Sequence, residues 1–358
     1  MQKVQIIHFV EALGKGGLEN VIYHLATNLN AQVFDVTVVC RIEGGYTADR
    51  ISAQGIPVTV LKQQKIPIRD LVRTLKLLRR QSVSILHCHG LFATSSEALM
   101  GLRSGYNSVL VHVHNLERPS SLYQRLKLNI LKRSVSKFVA VSDSVRLCLK
   151  RSFVKNVDVI HNAVDTSKYP FFEVPQKDKF GFGENTFVLG MIGRIVKRKG
   201  FDHFVEIIRN IQDISGIVVG EGPYEDRLRT LITEKNLHKK IKILPFQSQD
   251  VLPSIYSSLD ALFLFSEKEG LPLALLEAQS TGVPYIGNAV GGIAEIIING
   301  HNGIILDSID LKHVENKIIQ LKKNISSFRK NARMVIEKKY SLETMIGRIE
   351  RLYMDSLS

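Results

Sequence analysis

The stretch Phe265–Glu277, FSEKEGLPLALLE, decides how the rest of the chain is read. An apolar strand ends near Ser266, and a short loop carries Glu269 and Gly270. A helix then begins with Pro272 near its first position, where the missing N–H costs nothing. The unbonded amides at such a helix start suit an anion. Glu277 lies inside the helix, flanked by Leu275, Leu276 and Ala278. A carboxylate in such surroundings is costly unless something satisfies it, as a lysine would, or neutral hydroxyls such as a ribose diol.

The strand–loop–helix unit recurs on both sides. Upstream, VQIIHFV, VFDVTVVC, VTVL, SILHCH, VLVHVH, FVAVS and VDVIHN read as short apolar strands with amphipathic segments such as LENVIYHLATNL between them. The alternation pauses in HNAVDTSKYPFFEVPQKDKFGFGEN, which reads as a linker ending near Asn185. It then resumes with FVLGMIGR, GIVVGEG, IKILPF, ALFLFS, PYIGNA and GIIL. Strands alternating with helices form parallel sheets covered on both faces. The expectation is therefore an α/β protein of two doubly wound, Rossmann-like domains facing across a cleft, at residues 1–166 and 167–340. A terminal helix in 341–358, with Ser341 as cap and Glu343 in its first turn, is expected to pack back on the first domain.

A chain of 358 residues suits two domains, and its composition, 44% hydrophobic and 23% charged, is that of an ordered globular protein. The three cysteines, Cys40, Cys88 and Cys148, are scattered, which argues against a disulfide framework or zinc cluster and for a reducing compartment. The first apolar run is short and broken by His8 and Glu11, so it is not read as a signal peptide, and no stretch approaches the roughly 18 apolar residues of a membrane span. A cytoplasmic location is expected. The net charge is +14, and the excess is concentrated early: up to Asp165 there are 22 Lys and Arg against 11 Asp and Glu. It peaks between Arg118 and Lys155, where Asp143 is the single acidic residue. That favours phosphorylated substrates, acidic membranes or nucleic acid.

Other segments place charge and glycine at strand ends. In MIGRIVKRKG a strand ends at Gly193, followed by Arg194 and Lys199, two cations placed to clamp a diphosphate. Lys197 and Arg198 read as solvated members of the same turn. In GVPYIGNAVGGIAEII, Gly291 and Gly292 would let a ligand approach the backbone, and Glu295 either brackets that loop or touches a ligand. Gly14, Gly16 and Gly17 after the first strand form a phosphate-approach loop or simply cap a turn. His87 and His89 in HCHG read as strand-end residues, and Ser142 in AVSDS as a helix N-cap.

Taken in order, GKGGLE, VIHNAVD, GRIVKRKG, VVGEGP, the glutamates of EGLPLALLE and GGIAE resemble the retaining glycosyltransferases of GT-B fold, glycosyltransferase family 4, over almost the whole chain. The resemblance implies that Arg194 and Lys199 hold the donor diphosphate and neutralise it as it leaves. It places Glu277 on the ribose hydroxyls and Glu269 on the transferred sugar, with amides around Gly270, Leu271 and Leu273 near phosphate and sugar. Gly16 and Gly17 would close over the phosphates, Gly193 and Gly220 would complete the donor side, and backbone at Phe246 would face the base. His114 matches the histidine placed beside the scissile bond, in preference to His112, which shares its face but lies further from the strand end.

The implied reaction moves a hexose-type sugar from a UDP- or GDP-sugar, with retention, to a glycan or lipid-linked acceptor in polysaccharide, O-antigen, capsule or glycolipid synthesis. No metal or other cofactor is expected, since the two cations carry the charge. The alternative is a nucleotide-sugar epimerase of the same architecture. A phosphorylase would need a lysine-bound cofactor or a longer chain. A dehydrogenase is disfavoured because Glu19 stands where its third glycine belongs. Nucleic-acid binding has no supporting motif. The segment 118–155 is expected to contact the acidic inner face of a membrane, against the simpler reading of a solvated basic helix face.

Overall fold

The computed structural model describes residues 3–64 and 66–357. The chain forms two compact units. One runs from the N-terminus to Asn162 and includes the segment from Glu343 onward; the other is Ala163–Leu342.

The first unit holds seven strands: β1 (Val4–Ala12), β2 (Phe34–Glu43), β3 (Val58–Val60), β4 (Ser84–His89), β5 (Ser108–Val113), β6 (Lys137–Ala140) and β7 (Val157–Val159). All are parallel, in the order β3-β2-β1-β4-β5-β6-β7. Helices cover both faces, so β4 and β5 are buried at every position and read as continuous apolar runs rather than alternating ones. The order reverses between β1 and β4, which opens a crevice beyond their carboxyl ends. Helix starts obey local chemistry: the Ser142 hydroxyl accepts from the Val145 amide at 3.1 Å, as its cap reading requires. The terminal helix, Leu342–Asp355, belongs to this unit. Glu350 accepts from the Asn30 amide at 2.8 Å, and Tyr353 lies edge-on to Phe34 with ring centroids 5.8 Å apart.

The second unit holds β8 (Phe187–Ile192), β9 (Ile214–Val219), β10 (Ile241–Leu244), β11 (Ala261–Leu264), β12 (Tyr285–Gly287) and β13 (Gly303–Ile305). They are parallel in the order β10-β9-β8-β11-β12-β13, with the reversal between β8 and β11.

The segment read as a linker is part of this unit. Buried Arg329 donates to the Phe172 carbonyl through Nε at 3.0 Å and Nη2 at 2.8 Å. Arg333 donates to the Tyr169 carbonyl at 2.7 Å, and the Lys177 ammonium pairs with Asp260 at 2.8 Å. The two arginines satisfy carbonyls that a free linker would leave to water.

Candidate active site

In the second unit the loops after five strands meet at the carboxyl edge of the sheet. Gly193, at the end of β8, and Gly220, at the end of β9, both take positive φ, 130° and 143°. A Cβ on Gly220 would stand 2.1 Å from the Gly193 carbonyl oxygen, so the two loops can close only with glycine there. Glu221 continues the link: its carbonyl accepts from the Ile195 amide at 2.9 Å, and its carboxylate from the Phe246 amide at 3.3 Å. Phe246 is thereby tied, half-buried, beyond β10.

Lys199 ends a tight turn that Gly200 closes in the left-handed region. Its ammonium lies 3.6 Å from Glu269 Oε1, with both side chains largely shielded. The Ser266 hydroxyl donates to the same oxygen at 2.9 Å. The turn after β8 and the loop after β11 thus bring a cation and a carboxylate together. Arg194 is exposed and meets no acceptor among the described residues. Arg198, read as solvated, is instead half-buried: it donates to the Lys268 carbonyl at 3.1 Å, and its own carbonyl accepts from the Glu267 amide at 2.9 Å. It fastens the two loops that carry Lys199 and Glu269.

Pro272 stands at the cap position, and the helix runs Leu273–Ser280 with no side chain capping its start. Leu271 and Leu273 are buried beside Gly270. The glycine pair after β12 serves this loop first: a Cβ on Gly292 would lie 2.1 Å from the Gly270 carbonyl oxygen, and the Gly292 amide donates to the Glu269 carbonyl at 3.3 Å. Close backbone packing therefore accounts for Gly292. Glu295 lies in the helix that follows, and its carbonyl accepts from Tyr340 at 2.9 Å.

Glu277 is buried, and the Tyr256 hydroxyl donates to its Oε2 at 2.8 Å. Burial pushes its carboxyl up to about 7, against the opposing pull of hydrogen bonds from Tyr256 and Tyr169. Tyr169 also bonds Gln249. These tyrosines could not be found in the sequence, since one lies in the presumed linker and the other in a short helix, Leu252–Tyr256.

In the first unit Gly16 and Gly17 are exposed at the start of the helix Gly17–Asn28, with the Glu19 carboxylate close to Gly16. His114 follows β5 directly, stacked on His112 with ring centroids 4.2 Å apart. The sequence reading missed their surroundings. His8 of β1 aligns with His87 of β4, and His89 aligns with His112, so five imidazoles share one face of three adjacent strands. His8 Nδ1 is 3.0 Å from His89 Nε2, and His89 Nδ1 is 3.1 Å from His114 Nε2. His87 Nδ1 bonds the Tyr353 hydroxyl at 2.7 Å.

All five are buried, and burial holds each imidazole below its ordinary value, to about 3 for His8 and His114. His114 is thus a neutral hydrogen-bonding group. Two sets, His8/His87/His89 and His89/His112/His114, bring one nitrogen from each residue within 4.8 Å, the spacing a metal would need. Their shared member, His89, spends both ring nitrogens on His8 and His114.

Comparison with known proteins matches this architecture. The model for glycosyltransferase family 4 fits residues 15–168, and that for glycosyl transferases group 1 fits residues 174–340. The chain belongs to the glycosyltransferases of GT-B fold, family 4. A galactosyltransferase of Escherichia coli, UDP-Gal:alpha-D-GlcNAc-diphosphoundecaprenol alpha-1,3-galactosyltransferase, is 26% identical over 99% of this chain and 97% of its own. The N-acetyl-alpha-D-glucosaminyl L-malate synthase of Bacillus anthracis is 31% identical over 57% of this chain and 55% of its own. Anabaena Alr3699/HepE, solved with UDP and glucose, superposes with a TM-score of 0.86 at 18% identity, covering 98% of this chain and all, 100%, of that one.

Proposed function

We propose that the protein transfers a hexose-type sugar, with retention, from a nucleoside diphosphate sugar to a lipid-linked or glycan acceptor, without a metal ion. The observation that carries this reading is the Lys199–Glu269 pair, a shielded cation and carboxylate placed by adjacent strand-end loops. The likeness to an enzyme that uses UDP-Gal and a diphosphoundecaprenol acceptor, and to a fold solved with UDP, supports a UDP-sugar ahead of a GDP-sugar. Synthesis of polysaccharide, O-antigen, capsule or glycolipid on the inner face of a membrane would draw on such chemistry.

In this reading Arg194 and Lys199 bind the diphosphate. Gly193, Gly220 and the amides of Gly270, Leu271 and Leu273 line its path. Glu269 turns from Lys199 to the sugar hydroxyls, Glu277 takes the ribose, and backbone at Phe246 faces the base. The bond from the anomeric carbon to the phosphate oxygen breaks as the acceptor oxygen bonds the same face. The acceptor's proton passes to the departing phosphate oxygen. The two cations stabilise the charge that grows there. His114, held neutral, serves as a hydrogen-bonding group rather than as a base, because a base near 3 is too weak to take the acceptor's proton.

The test is incubation of the protein with UDP-hexoses and polyprenyl-diphosphate sugar acceptors, with the product examined by NMR. A new glycoside with the donor's anomeric configuration is expected. An inverted product would refute retention, and an isomerised nucleotide sugar without glycoside would establish the epimerase.

A further inference from the structure

The five histidines of the first sheet bring two ring nitrogens each to one buried face. Three hydrogen bonds, His8 to His89, His89 to His114 and His87 to Tyr353, engage His8 Nδ1, both nitrogens of His89, His114 Nε2 and His87 Nδ1. The others, His8 Nε2, His87 Nε2, His114 Nδ1 and both nitrogens of His112, are buried without a partner among the described residues. A neutral imidazole carries one N–H and one lone pair, and leaving either unbonded in the interior is costly. An apolar side chain would fill any of these positions at lower cost, so packing does not explain the cluster.

Its geometry is that of a ligand set. His87 and His89 stand two apart on β4, and period two puts them on one face. His8 on β1 is in register with His87. These three each bring one nitrogen within 4.8 Å of the others. His8 Nδ1 and His89 Nε2 are 3.0 Å apart, near the about 3.3 Å that separates two imidazole nitrogens on a tetrahedral ion. Two far nitrogens are already held: His87 Nδ1 by the Tyr353 hydroxyl at 2.7 Å, and His89 Nδ1 by His114 Nε2 at 3.1 Å. Ligating histidines are oriented in this way, through the nitrogen that does not touch the metal. In the second triad, His112 has no such bond and neither does His114 Nδ1.

We propose that His8 Nδ1, His87 Nε2 and His89 Nε2 bind one divalent ion of the late first transition row, zinc above all. The ion takes the place of the proton held between His8 and His89. All three imidazoles stay neutral, with their protons on His8 Nε2, His87 Nδ1 and His89 Nδ1. A three-histidine set leaves the fourth position to water. Nitrogen ligands suit zinc, copper and nickel, whereas magnesium and calcium require oxygen. Through Tyr353 the ion braces the terminal helix Leu342–Asp355 against β1 and β4. Its role is structural and it takes no part in sugar transfer, so the failure of this site would leave the donor-site reading untouched.

The experiment is calorimetric titration of the full chain, stripped with EDTA, with zinc and with magnesium, and a parallel cobalt titration followed by visible absorption. Saturable binding of one zinc per chain, none of magnesium, and the intense d–d absorption of four-coordinate cobalt are expected. X-ray absorption of the zinc-loaded protein should show nitrogen ligands at about 2.0–2.1 Å. His8→Leu and His87→Leu should each weaken zinc binding by about 100-fold or more. Tyr353→Phe keeps every ligand and should weaken it by about tenfold. His112→Leu, outside the triad, should bind like the parent. Zinc should slow amide exchange in β1, β4 and Leu342–Asp355 of the unaltered protein, a readout that no variant needs to fold for. Absence of saturable zinc binding, or binding that His8→Leu and His87→Leu retain, would overturn the proposal. So would binding lost in His112→Leu and kept in His87→Leu, because the ion would then sit on the other triad.

Discussion

Acidification is expected to unfold the first unit through its five histidines. His8 and His114 stay neutral in the folded chain down to about 3, because burial penalises the imidazolium, and unfolded they titrate at their ordinary 6.5. Between those values the unfolded chain binds more protons than the folded one, so stability is complete above the unfolded value and falls as pH falls below it. Each such histidine loses about 1.4 kcal/mol per pH unit, or about 2 kcal/mol by about pH 5, so the two together lose about 4 kcal/mol. His87, His89 and His112 are shifted in the same direction by burial and by their neighbouring imidazoles. Domain stabilities of about 5–15 kcal/mol are of the same order as this loss.

Hydrogen exchange read peptide by peptide reports the first unit by itself. Amides of β1, β4 and β5 should lose protection steeply between about pH 7.5 and about pH 5, after correction for intrinsic exchange rates. His112 supplies the control, because neither of its ring nitrogens has a partner among the described residues. His112→Leu should stabilise the unit and reduce the slope by about one proton. Unchanged protection across this range, or an identical slope in His112→Leu, would refute the reasoning.

Other expectations concern the second unit. Glu269→Ala and Lys199→Ala should each lower the rate of transfer by about 100-fold or more, measured with the true donor, with melting temperatures near the parent's. Glu277 has the opposite pH response to the histidines: its carboxyl is raised to about 7, so the folded chain binds the extra proton and the helix Leu273–Ser280 should gain exchange protection as pH falls from 7 toward the unfolded value of 4.5. Tyr256→Phe should destabilise the unit by about 1–3 kcal/mol in denaturant titrations near neutral pH, because it removes a donor to a buried carboxylate. Gly292→Ala should disrupt the Glu269–Gly270 loop and abolish transfer, since its Cβ would stand 2.1 Å from the Gly270 oxygen. EDTA should leave turnover unchanged, and loss restored by magnesium would refute the metal-free reading.

The two parallel sheets were legible because both faces of each are covered, so strands such as SILHCH and VLVHVH stand out as apolar runs between amphipathic segments. Glu269, Glu277 and the Arg194–Lys199 turn were legible as positions, because spacing along one βα unit fixes where each falls relative to a strand end. Three features were not. Residues 163–186 carry the prolines and aromatics of a linker, and the arginines that bind their carbonyls, Arg329 and Arg333, lie far along the chain. The histidine cluster depends on the register of β1, β4 and β5, which no single segment encodes. The tyrosines around Glu277 come together only on folding. Sequence reading located charged groups well and their buried partners poorly, because partners are chosen by tertiary packing.

The central claim is that the loops after β8, β9 and β11 hold a nucleoside diphosphate sugar through Arg194, Lys199 and Glu269. Its most direct test is calorimetric titration of the protein with UDP, GDP and their hexose conjugates, repeated on Arg194→Ala and Lys199→Ala. Saturable binding of one nucleotide series, with uridine favoured, and about tenfold or greater loss in each variant is the predicted result. Binding by neither series, or binding that both variants retain in full, would contradict the account.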